Sequence, residues 1–446
     1  MSVFSSFLLY ALVVPISKKF NSDSGLTKLA VFLFSWLSMT IILKLKLGSA
    51  ADKIYAEDGG IYLQQAIDLP FPRDVFKPYA GYSDITARLL GNFVSIFPVQ
   101  NYTIVILLTV ALVLTLTGYL LFLSSKDLFP GKAIRIISAL GLILLPIGGF
   151  ESFGNITNLH FYLMSGCLFL ILGTTIREKR YYLGSMFIVI SCLSTPLMAY
   201  YLPILMIHYF FLRMNRINFR ITPYHIALLV GITLQFLFVL TFALGDRGSN
   251  SNHSFSKTLY LFFDRVIGSS LIPFWGYVSG ADLEANSQKL LIRGMIAAFT
   301  FGIFVLFFVV RYGYLTHRQV LAVSLTVGMI FYWLTIGYFF SPEPRYAIFA
   351  GYLFLVAAIL IVGNSFESNK KNWAINLMIS VIILTWIGSF TPSSLRTVGP
   401  TVAEQITKSA EVCKSKNAQF HLTLLPVNGN WKLVLNCSLL STIGIK

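Results

Sequence analysis

Residues 101–123 read NYTIVILLTVALVLTLTGYLLFL and contain no charged residue. A helix rises 1.5 Å per residue, so a run of this length crosses the roughly 30 Å hydrocarbon core of a bilayer. Similar runs recur along a chain that is 56% hydrophobic and 12% charged, with a mean hydropathy of +0.74. Because lipid-exposed backbone must be hydrogen-bonded internally, repeated runs of this kind predict an all-α polytopic membrane protein.

The runs predict 11 or 12 transmembrane helices. The candidate spans are 3–17, 28–47, 101–123, 133–150, 159–175, 181–195, 196–212, 223–245, 290–312, 319–340, 346–363 and 373–390. The first run fits either a short span or an interfacial helix, because no basic residue precedes it and Lys18 and Lys19 follow it.

Charge divides the connectors between these runs into two kinds. Alternate connectors are short and basic, and together they hold 16 of the 34 Lys and Arg residues but only four of the 18 acidic residues. The positive-inside rule places them in the cytoplasm. Because the basic residues form no single patch, the net charge of +16 predicts a topology and no nucleic-acid partner.

The opposite face of the membrane then receives most of the acidic residues. The chain divides into N-terminal spans (1–47), a first extracytoplasmic loop (48–100), a transmembrane bundle (101–390) and an extracytoplasmic tail (391–446). The bundle also sends out loops near 151–158, 246–289 and 341–345. This asymmetry predicts that the working surface is extracytoplasmic.

The first extracytoplasmic loop begins with an acidic pair, Glu57-Asp58, followed by two glycines. Adjacent carboxylates beside a membrane are costly unless they face water, a partner or a substrate, and glycine lets the backbone turn sharply. Asp58 is a possible N-cap for an amphipathic helix over 61–67, and a second amphipathic helix follows over 84–97. We expect both helices to lie along the membrane plane; the alternative is a polar loop that only joins spans.

Four polar clusters share the extracytoplasmic face. They are Glu57-Asp58; Lys77, Tyr82 and Arg88; Glu151, Asn155, Asn158 and His160; and Arg345-Tyr346. Residues 28–390 resemble the GT-C superfamily of integral-membrane glycosyltransferases in three features. These are an acidic pair in the first external loop, surface helices after it, and a later Arg-Tyr pair that opens a helix. The resemblance implies a polyprenyl-phosphate sugar as donor and a glycan as acceptor.

The chemistry of such a transfer matches the residue types in these clusters. Attack by an acceptor hydroxyl on the sugar C1 needs a base, which would be Glu57 or Asp58. A departing lipid phosphate needs positive charge and hydrogen bonds, which Arg345 would supply with Tyr346. The alternatives are helix capping or structural pairing for the two acids, and a role in topology or in pairing with a neighbouring carboxylate for Arg345.

The remaining polar residues of the clusters fit accessory roles. Lys77 or Arg88 would assist Arg345 at the phosphate. The predicted acceptor- or sugar-binding residues are Tyr82, Glu151, Asn155, Asn158, His160 and Trp275, whose side chains can hydrogen-bond hydroxyls or stack on sugar faces. His160 could instead be a helix-end histidine, and Trp275 could be an interfacial anchor.

The sequence indicates no cofactor. It has no P-loop, no dinucleotide-binding fingerprint and no Ser-His-Asp order, and no paired-histidine or Asp-x-Asp spacing indicates a metal.

After residue 390 the chain becomes more polar and contains short runs in which apolar and polar residues alternate. The runs 420–424 and 431–435 read as two strands joined by a turn at 428–430. Cys413 and Cys437 flank this hairpin on a face predicted to be oxidising, so we expect them to form a disulfide. The alternative is two free thiols on a loose cytoplasmic tail.

An acidic first loop with a Cys- and Trp-bearing external tail also resembles the phage-type O-antigen serotype-converting glucosyltransferases. That resemblance implies a lipid-linked glucose donor, an O-antigen acceptor and a bacterial inner membrane. Two other functions remain open, a lipid-linked glycan flippase or transporter and an O-antigen-type polymerase. A transporter would need charged or polar residues deep in several spans. The apolar runs here contain almost no charged residues, and Arg293 is the clearest exception.

Overall fold

A computed structural model describes most of the chain. The described residues are 25–69, 71–129, 131–146, 152–173, 181–242, 255–272, 275, 287–311, 316–339, 343–362, 373–388, 394–413 and 418–441. Two sequence predictions, the possible span at 3–17 and the role of Glu151, fall outside these residues.

The first described element is a long helix, and residues 48–100 follow it; they are called the first external segment after their predicted location. These elements are α1 (Gly25–Leu47), a 3-10 turn (Gly48–Asp52), a π-helical turn (Asp58–Leu63) that continues as α2 (Gln64–Asp68), and α3 (Ile85–Ser95).

The central part of the chain is helical and forms the bundle. Its helices are α4 (Tyr102–Ser124), α5 (Lys132–Leu144), α6 (Leu159–Gly166), α7 (Leu168–Leu172), α8 (Tyr181–Ser194), α9 (Tyr201–Met214), α10 (Pro223–Phe242), α11 (Phe255–Leu261), α12 (Ser269–Leu271), α13 (Ser287–Arg311), α14 (His317–Phe339), α15 (Ala347–Val362) and α16 (Trp373–Gly388). A second π-helical turn, Phe262–Gly268, joins α11 to α12.

Among the described residues, six helices are long and apolar enough to cross a membrane. They are Leu29–Asp52, Val99–Asp127, Pro196–Met214, Pro223–Phe242, His317–Tyr338 and Pro344–Ile361. The other predicted spans from residue 133 onward also overlap helices in the described part of the chain. A helical, multi-pass membrane protein is therefore confirmed, while the full number of spans and the GT-C-like class stay predictions.

The centre of the bundle is α15. Its sequence, AIFAGYLFLVAAILIV, is apolar on every side, and almost all of its side chains are buried against other helices. It packs against α14, whose Tyr332 and Trp333 are fully buried. By contrast α10 exposes Leu229, Phe236 and Leu240, as expected of a helix that faces lipid.

The tail folds into a small α/β unit. It contains α17 (Ser394–Thr397), α18 (Val402–Val412), β1 (Gln419–Thr423), β2 (Lys432–Asn436) and α19 (Ser438–Ser441). The two strands are antiparallel, with Phe420 opposite Leu435 and Leu422 opposite Leu433, and these four side chains are buried. The predicted C-terminal hairpin is thus confirmed.

The hairpin docks on the first external segment. The Ala56 amide donates to the Leu425 carbonyl at 2.6 Å, and the Leu425 amide donates to the Ile54 carbonyl at 3.0 Å. A Cβ at Gly59 would lie 2.7 Å from a Leu424 methyl, so the glycine after the acidic pair lets the hairpin approach closely. The tail therefore covers the π-helical turn that carries Asp58.

The prediction that Asp58 is an N-cap is wrong. Asp58 is the first residue of the π-helical turn itself, and its carboxylate bonds to a distant loop rather than to the start of its own helix. The second predicted surface helix does begin as expected, because Asp84 is the N-cap of α3 and accepts from the Ala87 amide at 3.4 Å.

Candidate functional site

A cleft of about 500 Å³ lies where four separate stretches of chain meet. These are the first external segment, the loop that leads into α6, the turn after α8 and the turn before α15. The lining residues are Tyr79, Tyr82, Thr157, Asn158, His160, Phe161, Thr195, Pro196, Leu197, Arg345 and Tyr346.

The two tyrosines of the cleft stand at the ends of a tight turn. The Tyr79 and Tyr82 backbones exchange hydrogen bonds of 2.8 and 3.0 Å, and the intervening Ala80 and Gly81 have φ values of 49° and 84°. Two left-handed residues in succession make a type I′ turn, which glycine adopts without strain. The turn brings the two rings edge to face, with centroids 5.6 Å apart.

Asp58 lies behind the wall of the cleft that is formed by the loop leading into α6. Its carboxylate accepts hydrogen bonds from the Ile156 and Thr157 amides, both at 2.9 Å, and from the Thr157 hydroxyl at 2.6 Å. Burial raises the pKa of Asp58 to about 6, although these hydrogen bonds favour the charged form. Asp58 thereby fixes the loop that presents Thr157, Asn158 and His160 to the cleft.

A second buried carboxylate, Asp84, lies beside His160. Asp84 accepts a hydrogen bond from the Tyr62 hydroxyl at 2.8 Å, and the Nδ1 atom of His160 lies 3.9 Å from its Oδ2 atom. Burial raises the pKa of Asp84 to about 7, while its hydrogen bond from Tyr62 and the charge of Arg88 act in the opposite direction. His160 therefore connects a buried carboxyl group to the cleft.

The cationic wall comes from the turn that opens α15. Arg345 and Tyr346 belong to the 3-10 turn Pro344–Tyr346, and the Arg345 guanidinium pairs with Glu343 at 2.5 Å. Tyr346 packs edge-on against Phe161, with ring centroids 5.5 Å apart. Because the Arg345 side chain is partly exposed, its charge is accessible at the cleft.

The structure brings five of the predicted site residues together in one cleft. They are Tyr82, Asn158, His160, Arg345 and Tyr346. Asn155 lies behind the same wall, where its side-chain oxygen accepts from the Asn158 amide at 3.3 Å.

Four other predicted residues have different surroundings. In the part of the chain that the structure describes, Glu57, Lys77, Arg88 and Trp275 are not among the lining residues of this cleft. Lys77 is exposed, whereas Arg88 is buried and donates to the Gln65 side chain at 2.7 Å and to the Pro78 carbonyl at 3.3 Å. Arg88 therefore supports the first external segment from inside.

Trp275 belongs to a separate polar cluster. Its indole nitrogen donates to an Asp264 side-chain oxygen at 3.1 Å, and the same oxygen accepts from Arg293 at 2.6 Å. The Arg293 guanidinium lies 4.3 Å from the centre of the Trp275 ring. This paired arrangement explains how a predicted span accommodates Arg293.

Sequence reasoning missed Arg396, which lies near Asp58. A smaller cavity of about 290 Å³ is lined in part by Lys53, Tyr55, Asp58 and Arg396. Arg396 is buried, donates to the Phe153 carbonyl at 2.6 Å and lies 4.9 Å from the centre of the Tyr55 ring. Burial lowers the pKa of Arg396, and the charge of Asp58 opposes that effect. An isolated arginine at the start of the tail, which the sequence predicts to be extracytoplasmic, was the available signal.

Sequence reasoning also missed Thr195 as a cleft residue. Thr195 caps the 3-10 turn Pro196–Tyr200 by accepting from the Leu197 amide at 3.3 Å. The Thr-Pro pair sits where two predicted spans directly adjoin, and Thr followed by Pro is typical of a helix start. That pattern could have identified a polar break at the level of the cleft.

The chain matches no known protein family, no curated protein and no solved structure. Within the described residues, His, Cys, Asp and Glu side chains form no group of three that could hold a metal ion. Any functional inference therefore depends on the residues of the cleft.

Proposed function

We propose that the chain is a membrane glycosyltransferase that moves one sugar, such as glucose, from a polyprenyl-phosphate carrier to an extracytoplasmic glycan such as O-antigen. The observation that supports this proposal is the cleft in which Arg345 lies together with Tyr82, Asn158 and His160. One cleft thus combines a cation suited to phosphate with aromatic, amide and imidazole groups suited to a sugar.

The cation has the chemistry that a lipid phosphate requires. A guanidinium binds phosphate through two parallel hydrogen bonds, and it keeps its charge at any physiological pH. Arg345 pairs with a half-exposed carboxylate, Glu343, so an entering phosphate would compete with Glu343 for the same guanidinium. Arg345 also belongs to the turn that immediately precedes α15, a helix apolar enough to cross the membrane, so its guanidinium lies at the level where a membrane helix begins.

The rest of the cleft has the polarity of a sugar site. Its lining alternates aromatic rings with hydroxyl, amide and imidazole groups. Tyr79 and Tyr82 offer ring faces and hydroxyl groups, and Asn158 offers an amide that can both donate and accept. The basic connectors on the other side of the bundle support an extracytoplasmic location for this cleft.

The predicted base, Glu57 or Asp58, stays a prediction. Asp58 is connected to the cleft through the Thr157 hydroxyl, and its two oxygens already accept three hydrogen bonds. Direct attack by the acceptor hydroxyl would invert the configuration at C1.

A donor-use assay with Arg345 variants tests the proposal. The purified protein in lipid nanodiscs is given a short-chain polyprenyl-phosphate glucose and an O-antigen fragment. Because a charge-assisted hydrogen bond is worth about 1.5–3 kcal/mol, Arg345→Ala should raise the donor KM by about 10- to 100-fold. Arg345→Lys should recover part of the loss, since lysine keeps the charge but not the two-point contact.

Glu343→Gln is the matched control for this assay. It removes the carboxylate that competes for Arg345, so the donor KM should stay the same or fall. An unchanged donor KM and kcat in Arg345→Ala would remove Arg345 from donor binding. Absence of transfer by the wild-type protein from any polyprenyl-phosphate sugar would reject the proposed function.

A further inference from the structure

The side chains of His160 and Asp84 form an imidazole–carboxyl pair at the cleft. His160 is the second residue of α6 and lines the cleft, and its Nδ1 atom lies 3.9 Å from the Oδ2 atom of Asp84. Asp84 is 1% exposed and is held in place twice, by the Tyr62 hydroxyl and by the amide of Ala87. At 3.9 Å the imidazole and the carboxyl group are beyond hydrogen-bond distance, so Asp84 acts on the imidazole through its negative charge, which favours the protonated ring.

Asp58 has a different geometry. It is 1% exposed, its oxygens accept from Ile156 and Thr157, and it lines the smaller cavity near Arg396. A general base must come within hydrogen-bond reach, about 2.6–3.2 Å, of the proton that it takes. Among the described residues that line the larger cleft, His160 is the side chain whose ordinary pKa suits this task near neutral pH.

We propose that His160 is the proton acceptor for the attacking hydroxyl and that Asp84 is a positioning residue acting through it, an inference that rests on the proposed glycosyltransferase function. The Nε2 atom, the ring nitrogen that does not face Asp84, takes the proton. Asp58 then shapes the wall on which His160 sits.

The transfer step balances with these residues. The acceptor hydroxyl oxygen forms a bond to C1 of the sugar while its proton passes to His160. The bond between C1 and the phosphate oxygen breaks, and its electron pair stays on the departing lipid phosphate, which Arg345 receives. The imidazolium formed at His160 is stabilised by Asp84 and later releases its proton to water.

Several charged or titratable groups set the behaviour of this pair. Asp84 is faced by Tyr62 from the π-helical turn, by Arg88 from α3 and by His160 from α6, and the charge of Asp58 also acts on it. The pKa of Asp84 is raised to about 7 by burial, while the Tyr62 hydrogen bond and the charge of Arg88 act in the opposite direction. Arg345, which also lines the cleft, is the cation that would bind the departing phosphate.

Transfer assays on three variants test the role of His160. His160→Gln should lower kcat by about 100- to 10,000-fold, the usual loss for a general base. His160→Ala should recover activity when imidazole is added, which a purely structural histidine would not show. His421→Asn, at an exposed histidine on β1, is the matched control and should transfer at the wild-type rate.

Asp84→Asn tests the positioning role, because asparagine keeps the helix cap and the oxygen that Tyr62 contacts. Removing the negative charge should lower the pKa of His160 by about one unit or more, as measured by NMR on histidine-labelled protein. The acidic limb of the kcat/KM profile should move to lower pH with it, and the plateau rate should fall.

The outcomes separate this inference from the proposed function. If His160→Gln transfers sugar at the wild-type rate, the function stands and the role of His160 is overturned. If imidazole fails to rescue His160→Ala, the role of His160 as proton acceptor is again overturned. If the wild-type protein uses no polyprenyl-phosphate sugar, the NMR titration still decides the pairing, and an unchanged His160 pKa in Asp84→Asn refutes it.

Discussion

At the scale of single residues, two buried carboxyl groups stand out beside the candidate cleft. Burial raises the pKa of Asp58 to about 6 and that of Asp84 to about 7, against an unfolded value of 3.8. The folded protein therefore binds these protons more tightly than the unfolded chain does. Each group contributes stability that is complete below about pH 4 and is lost as the pH rises through its folded pKa.

Asparagine substitutions should reduce this pH dependence in separate windows. In Asp58→Asn the unfolding midpoint should decrease less than in the wild type between about pH 4 and 6. The rise in the pKa of Asp58 from 3.8 to about 6 corresponds to about 3 kcal/mol of stability. In Asp84→Asn the midpoint should decrease less over the range up to about pH 7. Thermal unfolding in detergent at a series of pH values measures both effects.

Asp52→Asn is the control for these curves, since Asp52 is exposed and pairs with Lys44. It should keep the wild-type slope. Parallel curves for wild type, Asp58→Asn and Asp84→Asn would show that neither buried carboxyl changes its proton affinity on folding.

At the scale of elements, the position of α3 depends on one glycine. A Cβ at Gly91 would lie 3.0 Å from the Tyr62 carbonyl oxygen and 3.1 Å from the Tyr62 Cβ atom. Backbone cannot move aside as a flexible side chain can. The absence of a side chain at Gly91 thus lets α3 lie directly on the π-helical turn, with Asp84 and Asp58 at their starts.

Gly91→Ala should push α3 away from the π-helical turn. Overpacking of this kind costs about 1–3 kcal/mol, so the unfolding midpoint should fall and sugar transfer should weaken. Gly302→Ala is the matched control, because a Cβ there meets nothing within 4 Å and alanine favours a helix by about 1 kcal/mol. Equal midpoints for the two variants would contradict the close packing at Gly91.

The same elements show what the sequence could predict. Spans are encoded by local composition, and the hairpin is encoded by two nearby alternating runs around a turn, so both were predictable. Asp58 was misassigned as a helix cap because its partners, the amides of Ile156 and Thr157, lie 98 and 99 residues away. A carboxylate that bonds to a distant backbone leaves no periodic signal.

The candidate site was predictable to a similar degree. Polar residues between apolar runs, such as His160 and Arg345, identified stretches of chain that the structure joins in one cleft. The pairing of Trp275 with Arg293 and the burial of Arg396 depend on how helices and tail pack together. Such contacts are tertiary, and composition does not specify them.

At the scale of the whole molecule, the tail and the first external segment form one unit. Lys53 donates to the Thr397 carbonyl, and Gln64 bonds to the Val434 backbone in both directions. Arg396 of the tail also donates to the Phe153 carbonyl in the loop that leads into α6. Segments in direct contact must lie on the same side of a membrane. The tail therefore shares the side of the candidate cleft, which the basic connectors predict to be extracytoplasmic.

A disulfide closes this unit. Cys413 at the end of α18 and Cys437 after β2 are joined, with Cα atoms 5.2 Å apart and a separation of 24 residues. Closing a loop of this length removes chain entropy worth roughly 3 kcal/mol from the unfolded state. Cys167 and Cys192 are buried within the bundle.

Thiol labelling of intact cells with a membrane-impermeant reagent should therefore succeed only after mild reduction. Cys437→Ser should be labelled without reduction, because it leaves Cys413 half-buried with no sulfur partner in the tail. Lys126→Cys, on a predicted cytoplasmic connector of the same protein, should be labelled only after lysis. Wild-type labelling without reduction would contradict the disulfide. Labelling of Cys437→Ser only after lysis would reverse the topology, because the tail, the first external segment and the cleft would then all face the cytoplasm.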